Sequence, residues 1–331
     1  SVSRGLGDVY NRQEIKERKF VESHMKKALD NNEFIIYLQP KFSISNGEAV
    51  GYEALVRWQS PERGMIYPGG FIPLFEENGF ITKLDAYVWE CACMVLRDWI
   101  DRHFTPLPIS VNVSRANLDD ESFLNVLDGL IEKYRLPKHL LELEITESIE
   151  NDTTLRMTEK IKEHGYILLM DDFGSGYSSL NTLQDTKFDV LKLDREFFST
   201  HMSNDRGKKI IMHTISMSKD VGLGLIAEGV ETADQAQFLE SCGLLALNGR
   251  NKVEFAFYFF GQGLRSFLVF ERVDRRAVGF YPCRNDVVML AFDVVVFEND
   301  IGLIPIAHAL HVVMSYFKHF HLVYPVFWIG V

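Results

Sequence analysis

The sequence predicts an α/β fold, a TIM-type (β/α)8 barrel with an antiparallel first strand and an eighth strand that the sequence leaves open. Between residues 71 and 242 helical and strand patterns alternate, which favours parallel pairing with right-handed crossovers. The chain has 331 residues, enough for the roughly 250 residues of such a barrel. Acidic or amide side chains recur at the predicted strand ends, where a barrel of this kind collects its functional groups.

Two short segments precede the predicted barrel. Residues 1–13 contain SRGLGDVYNRQ, which resembles the translated transposase adapter of sequencing libraries except at Asn11. We therefore interpret them as a non-native leader, with a natural flexible leader as the alternative. Residues 14–28 carry apolar side chains on one face and are predicted to form a linker helix that leads into the domain.

The barrel is predicted to open with a β-hairpin. An apolar run at 34–39 ends at Pro40, and a second strand follows at 50–58. Asn46–Gly47 between them is a strong turn signal, so the first strand should lie antiparallel to its neighbour. Later helices are predicted at 71–77, 84–102, 119–134, 153–164, 206–221 and 233–242, and later strands at 108–113, 141–146, 167–170, 190–193 and 223–227.

The chain changes character after Gly243. Residues 244–331 contain 12 of the 25 phenylalanines, and the alternation of helices and strands fades. The run at 253–260 could serve as a strand. The uncharged run at 301–317 is shorter than the roughly 20 residues of a membrane span. We therefore place the barrel at 29–243 and treat 244–331 as an atypical aromatic-rich tail.

Six of the strand-end residues carry oxygen donors. They are Glu53, Asn112, Glu144, Asp171, Asp172 and Glu228. A set of oxygen ligands selects hard cations such as Mg²⁺ or Mn²⁺, and two adjacent aspartates can serve two ions in the arrangement used on phosphodiesters. Lys192 ends another strand, where it could hold the attacking water or the charge of the transition state. Ca²⁺ should inhibit, because its longer oxygen distances disturb the Mg²⁺ arrangement.

Each of these residues also has a simpler interpretation. A single glutamate near a strand end is often a cap or a surface charge, and Asn112 alone is more often a turn former. Asp171–Asp172 could merely begin a turn and cap a helix. Lys192 could pair with Asp194 or with a neighbouring carboxylate. The joint pattern favours a metal site, because acids on several adjacent strand ends would repel one another without a cation.

Six motifs resemble those of the EAL-domain phosphodiesterases of cyclic di-GMP. In chain order they are EALVRW (53–58), VNVS (111–114), EITE (144–147), DDFGSGYSSL (171–180), KLD (192–194) and AEGVE (227–231). The resemblance implies a TIM barrel with an antiparallel first strand that hydrolyses one phosphodiester of cyclic di-GMP to give linear pGpG. The family's Gln-Gly-Tyr strand is missing after Gly243, so either a frameshift near residue 244 or a divergent C-terminus must explain the tail.

The resemblance also implies roles for individual residues. Glu53, Asn112, Glu144 and Asp171 would ligate a first metal ion, with Asp171, Asp172 and Glu228 holding a second. Lys192 would contact the water between them, with Glu228 as the base. Gln39, Arg57 and Asp194 would bind substrate, and Glu231 would support the site. The 172–180 loop, with Gly174 and Gly176 and with Glu147 at its base, would couple metal binding to formation of a homodimer.

Composition narrows the alternatives. The net charge of −11 argues against a nucleic-acid-binding surface. Four cysteines without zinc spacing, together with no signal peptide, indicate a reducing, cytoplasmic location, with membrane tethering possible only through a longer parent protein. An upstream regulatory domain, common in the family, is absent from this chain. A non-catalytic cyclic di-GMP receptor or interaction module, and an inactive truncated product, stay open as alternatives to an active enzyme.

Overall fold

The computed structural model describes residues 2–146, 152–174, 183, 186–244, 246–249, 253–260 and 263–270. A long helix, α1 (Val2–Asp30), leads into the fold. It begins at Val2 rather than at the predicted residue 14. It ends where Asn32 adopts a left-handed conformation with φ of 55°, a conformation that asparagine tolerates better than most residues.

Three antiparallel strands follow α1. They are β1 (Phe34–Ser43), β2 (Ala49–Ser60) and β3 (Gly64–Ile66). The predicted hairpin is confirmed, since β1 and β2 pair antiparallel from Phe34 opposite Trp58 to Phe42 opposite Ala49.

The first strand continues through Pro40, where the sequence predicted its end. The N–H of Tyr52, opposite Pro40, donates to Pro108 O, so this pair is a non-hydrogen-bonded one. The nitrogen of Pro40 therefore faces the other edge of β1, which uses Ile36–Leu38 and Phe42–Ser43 for pairing but not residue 40. Proline has no N–H to donate, so it fits position 40, where the strand edge needs no donor.

Helices and parallel strands then alternate. The helices are α2 (Ile72–Asn78), α3 (Ile81–Asp101), α4 (Arg115–Leu118), α5 (Ser122–Tyr134), α6 (Asp152–Glu163), α7 (Arg195–His201), α8 (Asp205–Asp220) and α9 (Ala233–Ser241). The strands are β4 (Ile109–Asn112), β5 (Leu141–Thr146), β6 (Ile167–Phe173), β7 (Val190–Leu193) and β8 (Gly224–Val230). The sequence missed the short elements β3, α4 and α7, which are too brief to show a periodic pattern.

The strands pair in the order β2–β4–β5–β6–β7–β8, all of them parallel. The short strand β9 (Ala246–Gly249) continues the series parallel to β8 and also pairs antiparallel with the end of β1. Eight strands, β1, β2 and β4 to β9, therefore close a ring of pairings. A TIM-type barrel with an antiparallel first strand, as predicted, is what the chain forms.

The run at 253–260 does form a strand, β10 (Val253–Phe260), but not between β8 and β1. It pairs with Ile36–Leu38 of β1 and with β11 (Gly263–Phe270), and both pairings are antiparallel. The eighth position belongs to β9, which the sequence did not indicate because four residues are too few for a recognisable alternation. Among the described helices, none combines the length and the apolarity that crossing a membrane requires.

The two faces of the β1–β2 hairpin separate the outer core from the barrel interior. Phe34 and Trp58 point outward, and their rings pack against Phe71 and Phe75 of the segment around α2. Tyr37, Gln39, Glu53 and Arg57 alternate with these outward residues, so they share the inner face. The hairpin therefore contributes side chains directly to the barrel mouth.

Candidate active site

The carboxyl ends of the parallel strands carry the residues that the sequence singled out. Asn112 lies on β4, Glu144 on β5, Asp171 and Asp172 on β6, Lys192 on β7 and Glu228 on β8. Glu53 joins them from β2, where it is paired with Ser110 of β4. Because parallel strands end at one edge of the sheet, residues far apart in the sequence meet at one mouth of the barrel.

The ammonium group of Lys192 lies among four carboxylates. Its Nζ is 3.3 Å from Glu53 Oε2, 2.8 Å from Glu144 Oε2, 2.9 Å from Asp171 Oδ1 and 2.9 Å from Glu228 Oε1. Lys192 and Glu144 are fully buried. The four partners come from four different strands, so the cluster can form only in the folded barrel. Of the two simple interpretations of Lys192, the structure shows pairing with these carboxylates and not with Asp194.

A second buried cation lies beside Glu144. Lys41 of β1 is only 2% exposed, and its Nζ lies 3.4 Å from Glu144 Oε1 and 3.1 Å from Glu142 Oε2. Together with the partners of Lys192, five carboxylates face two ammonium groups. If all are ionised the cluster carries three net negative charges, a charge that a divalent cation would offset.

This crowding shifts the pKa values in opposite directions. Desolvation, reinforced by the neighbouring carboxylates, raises the pKa of Glu53 to about 8 in spite of Lys192. Desolvation also opposes ionisation of Glu144, but the ammonium groups of Lys192 and Lys41 outweigh it and lower the pKa to about 2. Burial and nearby acids raise the pKa of Glu228. Burial works against the charge on Lys192, yet its carboxylate partners hold its pKa well above the usual value.

The donor chemistry of this cluster fits a hard divalent cation. All of its negatively charged groups are carboxylates, and the buried Oδ1 of Asp171 accepts no hydrogen bond of good geometry although it lies close to the Lys192 ammonium. Within the described ranges no three acidic, histidine or cysteine side chains already converge on one ligating position. In this structure the Lys192 ammonium is the cation that the carboxylates share.

Asp172 and Asp194 occupy the rim next to the cluster. Asp172 has φ of 57°, a left-handed conformation that is uncommon for a residue with a side chain. Desolvation, together with Asp171 and Asp194, raises the pKa of Asp172 to about 6. Asp194 caps α7 by accepting hydrogen bonds from the N–H groups of Glu196 and Phe197.

The remaining predicted residues lie around this centre or outside the described part of the chain. Asn112 ends β4 directly beside Glu144 and is exposed. The backbone carbonyl oxygen of Asn112 accepts a hydrogen bond from Trp89 Nε1. Glu147 and Gly176 lie outside the described residues, as does the 172–180 loop beyond Gly174.

The inner face of the hairpin places Gln39 and Arg57 next to the cluster. Gln39 lies directly opposite Glu53 in the β1–β2 ladder. The Arg57 guanidinium lies 5.5 Å from the ring centre of Tyr37 and 5.6 Å from that of Tyr67. Its Nη1 donates a 3.0 Å hydrogen bond to Val56 O.

Two glycines allow close packing at the ends of β6 and β8. Gly229 has φ of 67°, and a Cβ there would lie 2.2 Å from Arg195 Cγ. Arg195 in turn donates to Glu231 at 3.1 Å, which joins the loops after β7 and β8. A Cβ on Gly174, at φ of 96°, would collide with the Phe197 ring. We call the Arg195–Glu231 ion pair the clasp. It positions Glu231, and the Arg195 side chain lies so close to residue 229 that only glycine fits there.

Sequence reasoning missed three contributors to the site. Lys41 lies two residues after Gln39 and so shares its face, a signal that the alternation of β1 could have provided. Tyr67 and Asp85 gave no such signal, because their contacts depend on how loops and helices pack. Asp85 of α3 accepts hydrogen bonds from Ser114 N at 2.9 Å and Asn117 Nδ2 at 2.7 Å, and so anchors the segment after Asn112.

The fold and the cluster around Lys192 together define the class of protein: a TIM-type barrel with a buried lysine among carboxylates at its mouth. The family model described as EAL domain matches residues 22–251. The chain belongs to the EAL domain family.

Individual relatives agree with this assignment. The chain is 37% identical over 236 residues to an uncharacterized signaling protein of Caulobacter vibrioides, with 70% of this chain and 29% of the relative covered. It is 33% identical over 229 residues to the bifunctional diguanylate cyclase/cyclic di-GMP phosphodiesterase MucR of Pseudomonas aeruginosa, with 68% and 33% covered. The chain therefore spans about a third of the length of these relatives.

A solved structure shows the same fold. The structure described as PaMucR phosphodiesterase in complex with c-di-GMP superimposes with a TM-score of 0.65 at 31% sequence identity. The match covers 69% of this chain and 94% of that chain. The MucR phosphodiesterase in that complex therefore has the same barrel fold as this chain.

Proposed function

We propose that this chain is a metal-dependent phosphodiesterase that hydrolyses cyclic di-GMP to linear pGpG. The observation that carries the proposal is the buried Lys192 ammonium among Glu53, Glu144, Asp171 and Glu228 at the barrel mouth. The named activity of MucR and the cyclic di-GMP in the complex of its phosphodiesterase domain supply the substrate class.

The proposal assigns two Mg²⁺ or Mn²⁺ ions to residues of the mouth. Glu53, Asn112, Glu144 and Asp171 would hold one ion, and Asp171, Asp172 and Glu228 the other. When bound, such ions acidify a coordinated water and neutralise charge on a phosphodiester. The excess of carboxylates over ammonium groups in the cluster and its all-oxygen donors support this assignment.

The residues of the chain have distinct roles in the reaction. The Arg57 guanidinium donates hydrogen bonds to a phosphate oxygen of the substrate. Gln39 contacts the substrate from the same face of the hairpin. Glu228, whose pKa is raised by burial, accepts the proton of the attacking water. The water oxygen bonds to phosphorus while the phosphorus–oxygen bond to the leaving ribose oxygen breaks, and that oxygen takes up a proton to become a hydroxyl group of pGpG. Lys192, held in its charged form, stabilises the charge that develops.

The proposal is tested by turnover of cyclic di-GMP in Mg²⁺, with the product identified as pGpG. Glu53→Ala should abolish turnover, because it removes a carboxylate of the centre. The matched control is Glu132→Ala on the exposed face of α5, which should keep wild-type rates. Ca²⁺ in place of Mg²⁺ should inhibit. Normal turnover by Glu53→Ala would refute the site. Binding of cyclic di-GMP without turnover by the wild type would indicate a receptor instead.

Assembly and location form a separate part of the proposal. We propose a homodimer formed through the 172–180 loop region and a cytoplasmic location for the domain. Sedimentation analysis should give the mass of two chains. A monomer at all concentrations would reject the dimer without affecting the proposed chemistry.

A further inference from the structure

Arg57 is held at the barrel mouth by two tyrosines that come from different parts of the chain. Tyr37 belongs to β1, and Tyr67 follows β3, immediately before the turn at Pro68–Gly70. The guanidinium carbon of Arg57 lies over both rings, at 5.5 Å and 5.6 Å from their centres. Each distance is within the range of an attractive cation–π contact.

The two tyrosines differ in their surroundings. Tyr37 is 6% exposed and packs with Ile35, Leu55 and Met65 on the inner face of the hairpin. Tyr67 is 55% exposed, so most of its ring is not part of the packed interior. Burial of an aromatic ring explains Tyr37 as part of the barrel interior, but it does not explain a large exposed ring placed over a guanidinium.

Contacts of this kind restrict how the guanidinium can point. An arginine side chain has several freely rotating bonds, and a phosphate is best recognised through the N–H edge of the planar guanidinium. The contacts with the two rings, together with the Nη1 hydrogen bond to Val56 O, restrict the guanidinium before the substrate arrives. The cost of ordering the side chain is then met in the free protein, which increases affinity for the phosphate.

We propose that Tyr67 is a positioning residue that, with Tyr37, clamps Arg57 for recognition of a phosphate of the dinucleotide. This inference rests on the proposed function for its substrate, while the clamp itself is a property of the free chain. Tyr67 acts through Arg57 and does not itself have to touch the substrate. It therefore contributes to substrate affinity and not to the chemical step.

The first test examines the clamp without any substrate. The Arg57 Nε–Hε resonance of the full chain is assigned by its loss in Arg57→Met, and ring currents should shift it upfield. Tyr67→Phe keeps the ring and should preserve the shift, whereas Tyr67→Leu should reduce it. Because Tyr67 is more than half exposed, neither substitution removes core packing. An unchanged resonance in Tyr67→Leu would overturn the proposal.

The second test examines the effect on substrate. Tyr67→Leu should raise KM for cyclic di-GMP about threefold to fivefold, the effect of one partly exposed cation–π contact, with kcat unchanged. Tyr67→Phe should behave as the wild type. In an Arg57→Met background, Tyr67→Leu should have no further effect, because the residue through which it acts is gone. A persisting effect there would show direct stacking on a base and overturn the positioning role.

The two tests separate this proposal from the proposed function. If the wild-type chain shows the shifted Arg57 resonance but neither binds nor hydrolyses cyclic di-GMP, the proposed function fails and its phosphate role fails with it. If the wild type hydrolyses cyclic di-GMP and Tyr67→Leu leaves both KM and the resonance unchanged, the clamp is rejected and the proposed function stands.

Discussion

Lys192 is the residue on which the charge balance of the centre depends. It is fully buried and within ion-pairing distance of four carboxylates, two of which, Glu53 and Glu228, have raised pKa values. Without this ammonium the same carboxylates would face one another in a poorly solvated space. A buried ion pair contributes little net stability, but removing one partner leaves uncompensated charge.

The first prediction concerns replacement of that charge. Lys192→Met should lower the free energy of unfolding by about 3 kcal/mol or more in the presence of EDTA, because it removes the ammonium group that the buried carboxylates share. Mg²⁺ should restore more stability to this variant than it adds to the wild type, since the ion would take over the missing charge. Urea unfolding with EDTA and with Mg²⁺ measures both effects.

A control separates charge from side-chain loss. Lys209→Met, on the exposed side of α8, should change the unfolding free energy little and should respond to Mg²⁺ as the wild type does. An equal response to Mg²⁺ in all three proteins would contradict the idea that a metal ion takes over the charge of Lys192 in the carboxylate cluster.

Individual site residues were predictable where register alone decides their position. Glu144, Asp171 and Lys192 end neighbouring parallel strands, so the rule that such ends share one mouth was sufficient to group them. The direct contact of Lys192 with four carboxylates was not predictable, because it depends on side-chain reach across the barrel. Tyr67 was missed for the same reason, since only tertiary packing brings its ring to Arg57.

At the scale of elements, buried polar contacts connect the outer helices to the loops of the site. Asp85 of α3 holds the start of α4 through Ser114 and Asn117, immediately after the strand that ends in Asn112. The Asp85 carboxyl is 7% exposed, and desolvation raises its pKa to about 6 despite these hydrogen bonds. The anchor is therefore stabilising and also sensitive to pH.

The second prediction is the pH dependence that follows from Asp85. Its folded-state pKa lies above the unfolded value of 3.8, so the folded protein retains a proton that the unfolded chain releases. The proton on Asp85 therefore contributes about 3 kcal/mol to the free energy of unfolding at low pH. This contribution is fully present below about pH 4 and is lost as the pH rises through about 6. Asp85→Asn should flatten this part of the stability curve, measured by urea unfolding between pH 4 and 7.

Comparison with Asp120→Asn tests whether the pH dependence of stability arises from the burial of Asp85. Asp120 is exposed, and its carboxylate accepts hydrogen bonds from the N–H and the hydroxyl of Ser122. These hydrogen bonds lower the pKa of Asp120, so its replacement should leave the slope between pH 4 and 7 intact. If Asp85→Asn also kept the wild-type slope, a different group would have to account for the pH dependence.

The third prediction concerns the clasp between the loops after β7 and β8. Gly229→Ala places a Cβ 2.2 Å from Arg195 Cγ and also forces φ of 67° on a residue with a side chain. Gly222→Ala imposes a similar φ, 79°, with nothing within 4 Å. The second variant should lose only about 1–2 kcal/mol, the cost of the left-handed conformation. The first should lose more and should also reduce turnover, because Glu228 must move.

Thermal or urea unfolding of both glycine variants, together with kcat, decides this point. Shortening the clashing side chain in the double variant Gly229→Ala/Arg195→Ala should recover part of the stability lost by Gly229→Ala alone. Equal losses in Gly229→Ala and Gly222→Ala would show that the close approach of Arg195 has no structural consequence.

At the scale of the whole molecule, alternation of strands and helices was enough to predict a barrel but not how it closes. The predicted long helices and the buried strands match the structure closely, because each buries a continuous apolar face. Closure depends on four residues, Ala246–Gly249, whose pairing with both β8 and β1 is a long-range event without a local signature. This is why the eighth strand could not be assigned from the sequence.

The last prediction tests that closure by shortening the chain. Residues 1–271 form one compact unit, and a chain ending at residue 271 should fold and keep the unfolding midpoint of the full chain. A chain ending at 251 retains β9 and should still fold. A chain ending at 244 leaves the edges of β1 and β8 without their partner, and open strand edges promote association. Size-exclusion chromatography should show aggregation for this shortest chain alone.

Because the 251-residue and 244-residue chains differ mainly by β9, a monomeric and stable 244-residue chain would show that the barrel does not need this strand.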